Sequence, residues 1–284
     1  MNRIVYLNGH FSDEKDAKIS IFDRSFLFSD SVYEVTTVLD GKMIDFDNHM
    51  KRLDRSMSEL KFPKMLNHDS IKKFHKDLIV KNELKEGIIY LHVSRGVADR
   101  SFNFPPKNID LTVVAFTQEK KLLKNDEVTN GIRVMTVEDK RWKRCDIKTT
   151  QLLYPSFAKA QASEKGFDDA WMLRDGYISE GTSNNAWIIK SGNILTREAD
   201  ELILNGITRQ SVINCAKLLG YKISYKGFTL DDAITADEAF ITSATTFVTP
   251  VVNINGKQIK DGKPGKFTGQ LREEYIKNSL KSAI

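Results

Sequence analysis

With 284 residues, 40% of them hydrophobic and 10% aromatic, the chain can bury a substantial core and exceeds the usual length of a single domain. Its 43 basic and 38 acidic residues give a net charge of +5 and are mixed along the chain, which argues against nucleic acid as the main partner. The apolar runs are too short for a signal peptide or a membrane span, so we expect a protein of the cytoplasm that binds no membrane.

The first part of the sequence predicts a compact α+β unit. Strands are expected at 4–7, 32–39, 88–93 and 111–116. Helices are expected to begin near the N-cap candidates Asp47 and Asp69, and Arg52 lies beside the apolar stripe of the first helix. The loop between the last two strands carries Arg100, which is either a ligand-binding residue or an exposed surface arginine.

A polar stretch without periodicity, from 117 to 130, predicts the boundary between two domains. We place a small N-terminal domain at 1–118, an interdomain linker at 119–128 and a larger C-terminal domain at 129–284. The sequence contains no internal repeat that would indicate a further subdivision.

Lys148 lies between a strand expected at 131–137 and an alanine-rich helix expected from about 155 to 165. At such a junction a rigid element holds the backbone while the side chain can reach a cleft. Four basic neighbours within 140–144, or partial burial, would favour the neutral amine of Lys148, which is a nucleophile that can condense with an aldehyde. The alternative is a solvated basic loop.

The last part of the sequence predicts a meandering sheet with polar interruptions. Strands are expected at 170–173, 177–179, 185–189 and 194–196. Glu180, which precedes small polar residues, belongs either to an exposed turn or to the lining of a site. The segment 206–208 opens a helix whose backbone N–H groups suit a phosphate, although it is also an ordinary helix start. A strand from 239 runs into a hydroxyl-rich loop at Ser243 and Ala244, a second candidate phosphate loop.

Metal sites and disulfides are not expected in this chain. The five histidines are scattered without the spacing of metal ligands. Cys145 and Cys215 are the two cysteines and form no CxxC motif, which suits a reduced cytoplasm.

The candidate residues belong to motifs that occur in one order along the chain. These motifs are Tyr33-Glu34, Arg52, Arg100, Arg144-Cys-Asp-Ile-Lys148, Glu180-Gly-Thr-Ser-Asn-Asn185, Gly206-Ile-Thr-Arg209 and Thr242-Ser-Ala244. Their order resembles the fold-type IV pyridoxal phosphate enzymes over nearly the whole chain. Within that family, the segments 30–35 and 141–148 are most similar to bacterial D-amino acid transaminases. The resemblance implies an α+β or α/β fold with a small N-terminal domain and a larger C-terminal domain built on a β-barrel-like sheet.

The resemblance also implies pyridoxal 5'-phosphate as the cofactor and gives each motif a role. Lys148 would form the Schiff base and move the proton between the substrate Cα and the cofactor. Glu180 would pair with the pyridine nitrogen and keep it protonated. Leu204 would pack on the ring face. The residues implied to hold the phosphate are Arg52, Ile207, Thr208, Ser243 and Ala244.

The implied activity is transamination between a D-amino acid, of the D-alanine or D-glutamate type, and a 2-oxo acid such as 2-oxoglutarate or pyruvate, with ping-pong kinetics. Tyr33 and Arg100 would bind the substrate carboxylate. Arg100 would come from the partner subunit, which implies a homodimer. Phe102 stands where the family places a histidine and cannot donate a hydrogen bond, so a wider or shifted substrate range is expected. The stretch 29–31 also departs from the family's usual glycines.

Several rival functions stay open at the level of sequence. A branched-chain L-amino acid transaminase would use the same Lys148 and Glu180, and Arg100 argues against it. Phe102 favours an (R)-selective amine transaminase, whereas Arg100 disfavours one because an uncharged substrate gains little from a guanidinium. The aminodeoxychorismate lyase of the family would instead release pyruvate. A binding or structural protein without catalysis is disfavoured by the presence of both Lys148 and Glu180.

Overall fold

A computed structural model describes residues 3–284 and divides the chain into two compact units. The first unit comprises the chain up to Lys121 together with Ile147–Gln151 and Ser282–Ile284, and the second comprises Leu122–Asp146 and Leu152–Lys281. This division differs from the domain boundaries expected from the sequence, because the segment that carries Lys148 belongs to the first unit. Its assignment has a clear reason: Ile147 is buried in the hydrophobic core of that unit.

The first unit is a six-stranded antiparallel sheet with three helices. Its strands are β1 (Ile4–Leu7), β2 (His10–Asp13), β3 (Ser31–Leu39), β4 (Lys42–Met43), β5 (Glu86–Ser94) and β6 (Thr112–Glu119), and its helices are α1 (Arg24–Phe28), α2 (Phe46–Glu59) and α3 (His68–Lys81). The strand order is β2-β1-β6-β5-β3-β4. Strand β3 therefore lies near one edge, paired with β5 along its full length.

Two amphipathic helices form the core of the first unit. The stripe of α2 (Met50, Leu53 and Met57) is buried in one cluster with residues of α3 and of β5. Both predicted helices are confirmed, but their predicted N-caps are wrong. Asp45, not Asp47, is the N-cap of α2, and Asn67, whose side chain accepts from the Ser70 amide, is the N-cap of α3.

The second unit is a nine-stranded mixed sheet that curls into a half-barrel, with five helices. Its strands are β7 (Ile132–Glu138), β8 (Asp169–Arg174), β9 (Tyr177–Gly181), β10 (Asn185–Lys190), β11 (Asn193–Thr196), β12 (Lys222–Ser224), β13 (Glu238–Ser243), β14 (Phe247–Ile254) and β15 (Lys257–Gln258). Its helices are α4 (Asp126–Asn130), α5 (Leu153–Glu164), α6 (Ile207–Leu218), α7 (Leu230–Ile234) and α8 (Lys266–Ser282). The order is β12-β11-β10-β13-β14-β7-β8-β9, with β15 beside β14.

The strand pairing of the second unit brings distant segments together. Strand β7 pairs in parallel with both β14 and β8, and β8 pairs with β9. Asp139, directly after β7, and Glu180, on β9, therefore come close although a helix and a strand separate them along the chain. Of the helices in residues 3–284, none is long and apolar enough to cross a membrane.

Candidate active site

Lys148 lies on an extended segment beside strand β3 in the first unit. The Tyr33 amide donates to the Lys148 carbonyl at 3.0 Å, and the Lys148 amide donates to the Ser56 hydroxyl at 3.3 Å. An antiparallel bridge joins Val32 to Thr149. With its backbone held in this way, Lys148 places its ammonium nitrogen 4.2 Å from the centroid of the Tyr33 ring. The structure thus brings two of the predicted site residues, Tyr33 and Lys148, into contact.

Three of the four basic neighbours that the sequence indicated near Lys148 are paired with carboxylates. Lys140, Arg141 and Arg144 each form an ion pair with a carboxylate of the second unit. The charges of Lys140, Arg141 and Arg144 are therefore balanced locally, at N···O distances of 3.3, 2.8 and 3.0 Å.

Arg52, predicted to hold a phosphate, forms a bidentate pair with Glu34. Its Nε donates to Oε1 and its Nη2 to Oε2, each at 2.8 Å, and His49 Nδ1 lies 2.7 Å from the same Oε2. Glu34 is fully buried. Burial alone would raise the pKa of its carboxyl, but Arg52 and His49 lower that pKa to about 2. The ionised Glu34 therefore fixes the orientation of the Arg52 guanidinium on α2.

Arg100 and Phe102 lie on an exposed loop of the first unit. The Arg100 guanidinium is 5.5 Å from the ring of Phe28 and 5.6 Å from that of Phe102, and the two rings contact each other edge to face. Phe102 is 83% exposed. Arg24 holds this loop by donating to the Ser101 carbonyl at 2.9 Å. The contacts of Arg100 in the folded chain are thus aromatic, and its charge has no carboxylate beside it within residues 3–284.

The backbone beside this loop keeps a glycine-like conformation without glycine. Ser29, which stands where the family usually has glycine, adopts φ 53° and ψ 28° as the C-cap of α1. Its amide donates to the Ser25 carbonyl at 3.0 Å. The departure from glycine is therefore accommodated in the left-handed region, at a strain of about 1 kcal/mol.

Glu180, at the end of β9 in the second unit, is buried and held by three donors. Arg141 Nη1 donates to Oε1 at 2.6 Å, Asn185 Nδ2 donates to Oε2 at 3.0 Å, and the Leu204 amide reaches both oxygens at 3.2–3.3 Å. Because the Leu204 amide is shared between the two oxygens, each oxygen accepts two hydrogen bonds. Burial raises the pKa of the Glu180 carboxyl, and the charge and hydrogen bond of Arg141 oppose that rise.

The arginine that holds Glu180 is itself anchored by a second carboxylate. Arg141 donates from Nε and Nη2 to the two oxygens of Asp139, at 2.9 and 2.8 Å. Asp139 also pairs with Arg174 at 3.1 Å and accepts from the Ser179 hydroxyl at 2.8 Å. Sequence reasoning missed Arg141 and Asp139 as site residues because it grouped Arg141 with its basic neighbours.

The start of α6 forms an uncapped helix N-terminus near Glu180. Its N-cap is Gly206, with φ −60° and ψ 139°, and no side chain caps the helix. A Cβ on Gly206 would lie 2.3 Å from Asn185 Oδ1, so glycine is required here. Asn185 also donates to the Leu204 carbonyl at 2.8 Å. It thereby links Glu180, Leu204 and the buried first turn that contains Ile207 and Thr208.

The hairpin between β13 and β14 carries a cluster of hydroxyl groups. Ser243 Oγ lies 3.2 Å from Thr245 Oγ1 and 2.9 Å from Thr246 Oγ1, and it accepts from the Thr245 amide at 3.2 Å. Ala244 occupies the tip of the turn between β13 and β14. Helix α6 packs against β13, the first strand of this hairpin.

The donors and acceptors of the second unit fit a pyridoxal phosphate. The buried carboxylate of Glu180 suits a protonated ring nitrogen, since a buried carboxylate favours a positively charged partner. The uncapped N–H groups of α6 and the hydroxyls of the Ser243 hairpin suit a dianionic phosphate.

Comparison with known proteins shows the family of the chain. The family model described as amino-transferase class IV matches residues 31–254. D-alanine aminotransferase from Staphylococcus aureus (strain N315) is 36% identical over 273 residues, which are 96% of each chain. D-alanine aminotransferase from Listeria monocytogenes serotype 1/2a (strain 10403S) is 35% identical and covers 96% of this chain and 94% of that protein.

A solved structure shows the same fold. The branched-chain amino acid aminotransferase of T.th., solved with pyridoxamine 5'-phosphate, has a TM-score of 0.92 and 27% identity, and the match covers 99% of this chain and 95% of that one. These similarities confirm the predicted family and the predicted fold-type IV architecture. The chain therefore belongs to the class IV aminotransferases, a pyridoxal 5'-phosphate-dependent family.

Proposed function

We propose that this protein transfers an amino group between a D-amino acid, of the D-alanine or D-glutamate type, and a 2-oxo acid such as 2-oxoglutarate or pyruvate. The observation that carries the proposal is the 36% identity to a D-alanine aminotransferase over 96% of both chains. The buried Glu180 supports the transaminase chemistry, because a buried carboxylate favours a positively charged partner such as a protonated ring nitrogen.

The proposed roles of the residues follow from their chemistry. When bound, pyridoxal phosphate supplies an electron-withdrawing ring that stabilises the negative charge left at the substrate Cα. Lys148 would hold the cofactor through its amine and would be the base for the proton at the substrate Cα. Glu180 holds the proton at the ring nitrogen, and Leu204 packs on the ring. The residues proposed to bind the phosphate are Arg52, Ile207, Thr208, Ser243 and Ala244.

The substrate carboxylate is proposed to bind Tyr33 and Arg100. A guanidinium and a carboxylate form a charge-assisted pair, which gives about 1.5–3 kcal/mol to the binding of an acid and nothing to that of a plain amine. Phe102 provides an aromatic contact to Arg100 where the family has a histidine donor. We therefore infer a site that tolerates more varied substrate side chains, with Arg100 as its main carboxylate ligand.

We further propose a homodimer in which Arg100 of each protomer serves the site of its partner. An apolar surface on the first unit supports this: its members, all at least 48% exposed, are Ile21, Phe22, Phe26, Val97, Phe102 and Phe104. Two neighbouring segments carry this surface, joined by the bridge between Asp23 and Val97. An exposed apolar patch of this kind is typical of a protein interface. We place the dimer in the cytoplasm, in keeping with two buried cysteines that form no disulfide.

The substrate class is tested by offering one amino donor at a time to the cofactor-loaded protein. The donors are D-alanine, D-glutamate, L-leucine and (R)-phenylethylamine, and the conversion of the bound cofactor to its amino form is followed by absorbance. We expect D-alanine or D-glutamate to react fastest. The similarity in fold to a branched-chain enzyme makes L-leucine the specific competitor, and the fastest conversion by L-leucine would contradict the proposal.

Sedimentation of the purified protein tests the dimer. A dimeric mass is expected at micromolar concentration, and Phe26→Asp should shift the population toward monomer because Phe26 is 70% exposed and lies in the apolar surface. A monomeric wild-type protein that transaminates at full rate would exclude Arg100 from a partner's site.

A further inference from the structure

A buried guanidinium without a carboxylate partner lies behind the Ser243 hairpin. Arg272, on α8, is 6% exposed. It donates from Nη1 to the carbonyls of Thr246 and Val248, both at 2.9 Å, and from Nη2 to those of Leu122 and Leu123, at 2.5 and 3.2 Å. Within residues 3–284 its hydrogen-bond acceptors are all backbone carbonyls. A buried cation is normally paired with an anion, so this arrangement needs an explanation.

The charge of Arg272 persists at neutral pH although the side chain is buried. Burial lowers the pKa of its guanidinium to about 10, which leaves the group protonated under physiological conditions. Carbonyl dipoles therefore stabilise the cation, and within residues 3–284 no carboxylate pairs with it.

The residue between Thr246 and Val248, whose carbonyls accept from Arg272, has a strained backbone. Phe247 adopts a φ of 59°, in the left-handed region that bulky residues avoid. It pairs with Ser243, and only residues 244–246 separate the two in the hairpin. Its fully buried ring packs against Tyr275 at 5.3 Å and lies 5.4 Å from the Arg272 guanidinium. Arg272 thus lies against the ring of Phe247 and donates to the carbonyls of the residues before and after it.

Fixing the hairpin in this way has an electrostatic consequence. The carbonyl oxygens of Thr246 and Val248 carry partial negative charge and would repel a nearby phosphate, but here they are turned to Arg272. The hydroxyls of Ser243, Thr245 and Thr246 remain together on the hairpin, and hydroxyls can rotate to donate to an anion. The unneutralised charge of Arg272 favours a negatively charged ligand at the same hairpin.

We propose that Arg272 is a positioning residue for the cofactor phosphate, holding the Ser243–Phe247 hairpin in the shape that binds a dianion. This inference rests on the proposed function, in which Ser243 and Ala244 bind that phosphate. The role requires the guanidinium group of arginine. A lysine has the same charge but cannot donate at once to the carbonyls on both sides of Phe247 and to those of residues 122–123.

The test compares pyridoxal phosphate with pyridoxal, which lacks the phosphate, as ligands of the cofactor-freed full-length protein. Dissociation constants are measured from the visible absorbance of the lysine-bound form for wild type, Arg272→Met and Arg272→Lys. We expect both variants to lose roughly ten- to hundredfold of the preference for the phosphorylated ligand, the effect of removing a charge-assisted contact, with pyridoxal affinity nearly unchanged. An unchanged preference in Arg272→Met, or full retention in Arg272→Lys, would overturn the proposal.

Arg95→Met is the matched control for loss of a buried arginine. Arg95 is 2% exposed and also donates to two backbone carbonyls, of Leu60 and Lys61, but it lies in the first unit and pairs with Asp30. Its loss should lower the free energy of unfolding and leave the ratio of the two dissociation constants as in wild type. An equal loss of preference in this control would reduce the role of Arg272 to general stability and overturn the proposal.

If the Arg272 variants do not fold, a measurement on the wild-type protein tests whether the hairpin is held in place before phosphate binds. Amide hydrogen exchange of the segment 243–248 is followed in the cofactor-freed protein, with and without inorganic phosphate. We expect slow exchange already without phosphate, because Arg272 holds the hairpin in advance, and rapid exchange there would overturn the proposal. If the wild-type protein forms no lysine-bound cofactor at all, the proposed function fails. If it binds the cofactor normally but the Arg272 variants keep the wild-type preference for the phosphorylated ligand, only the role of Arg272 fails.

Discussion

Replacing Arg141 by methionine should leave Glu180 as a buried acid without its cation. In the folded chain, Arg141 donates to Glu180 at 2.6 Å and to both oxygens of Asp139. Asp139 keeps a second arginine, Arg174, at 3.1 Å in the variant. Glu180 keeps only the neutral N–H donors of a side-chain amide and a backbone amide. The main electrostatic effect of the substitution therefore falls on Glu180.

The size of the effect follows from burial. Removing one partner of a buried ion pair lowers the free energy of unfolding by about 3–5 kcal/mol. Burial already raises the pKa of Glu180 against the opposition of Arg141, so this pKa rises further in the variant. Above about pH 4.3, where an unfolded Glu ionises, the folded variant then binds more protons than the unfolded chain. Its stability must fall as pH rises through this window, by at most about 1.4 kcal/mol per pH unit.

Urea unfolding of the cofactor-freed protein, followed by circular dichroism from about pH 5 to about pH 8, measures this slope. Arg174→Met is the control, because it removes the other arginine from Asp139 and leaves the pair between Arg141 and Glu180 intact. We expect the control to lose stability without gaining the slope. An Arg141→Met protein whose stability relative to wild type is independent of pH would refute the assignment of Arg141 as the residue that keeps Glu180 ionised.

Three further predictions concern the proposed reaction and the first unit. Lys148→Ala should abolish transamination while its thermal unfolding midpoint stays near that of wild type, and normal turnover would exclude Lys148 from the chemistry. Arg100→Ala should raise the KM for D-amino acids roughly ten- to hundredfold with little change in pyridoxal phosphate affinity, as expected for the loss of one charge-assisted bond; an unchanged KM would remove Arg100 from the site. Because the pKa of Glu34 lies at about 2 instead of its ordinary 4.5, its stabilising effect is complete above that ordinary value and is lost as pH falls toward 2. Glu34→Gln should therefore flatten the acid limb of the stability curve measured by urea unfolding, and a limb as steep as that of wild type would show that other carboxylates dominate.

Periodic patterns made much of the fold predictable from the sequence. The alternating strand expected at 131–137 and the apolar strand expected at 185–189 lie within one residue of β7 and β10 in the structure. Short elements without a periodic pattern were missed, among them α4 and β12. A strand as short as β12, Lys222–Ser224, carries too few residues to show a period and forms only because β11 offers it a parallel edge.

The site was predictable only where the resemblance supplied a motif. Tyr33 and Lys148 lie together because the segment 147–151 adds to the edge of β3, a pairing between distant parts of the sequence that no local pattern encodes. The contact of Arg141 with Glu180 depends in the same way on the pairing of β7, β8 and β9. Arg272 had no local signal at all, since its partners are backbone carbonyls, which every sequence possesses.

Two buried glutamates differ in the partners that lower the pKa of the carboxyl group. Glu34 has both Arg52 and His49, and its pKa is lowered. Glu180 has Arg141 alone, which it shares with Asp139, and its pKa is raised. Glu180 is therefore the carboxylate that gains more from a further positive charge. A protonated ring nitrogen would give Glu180 a further partner that lowers the pKa of its carboxyl group, as His49 does for Glu34.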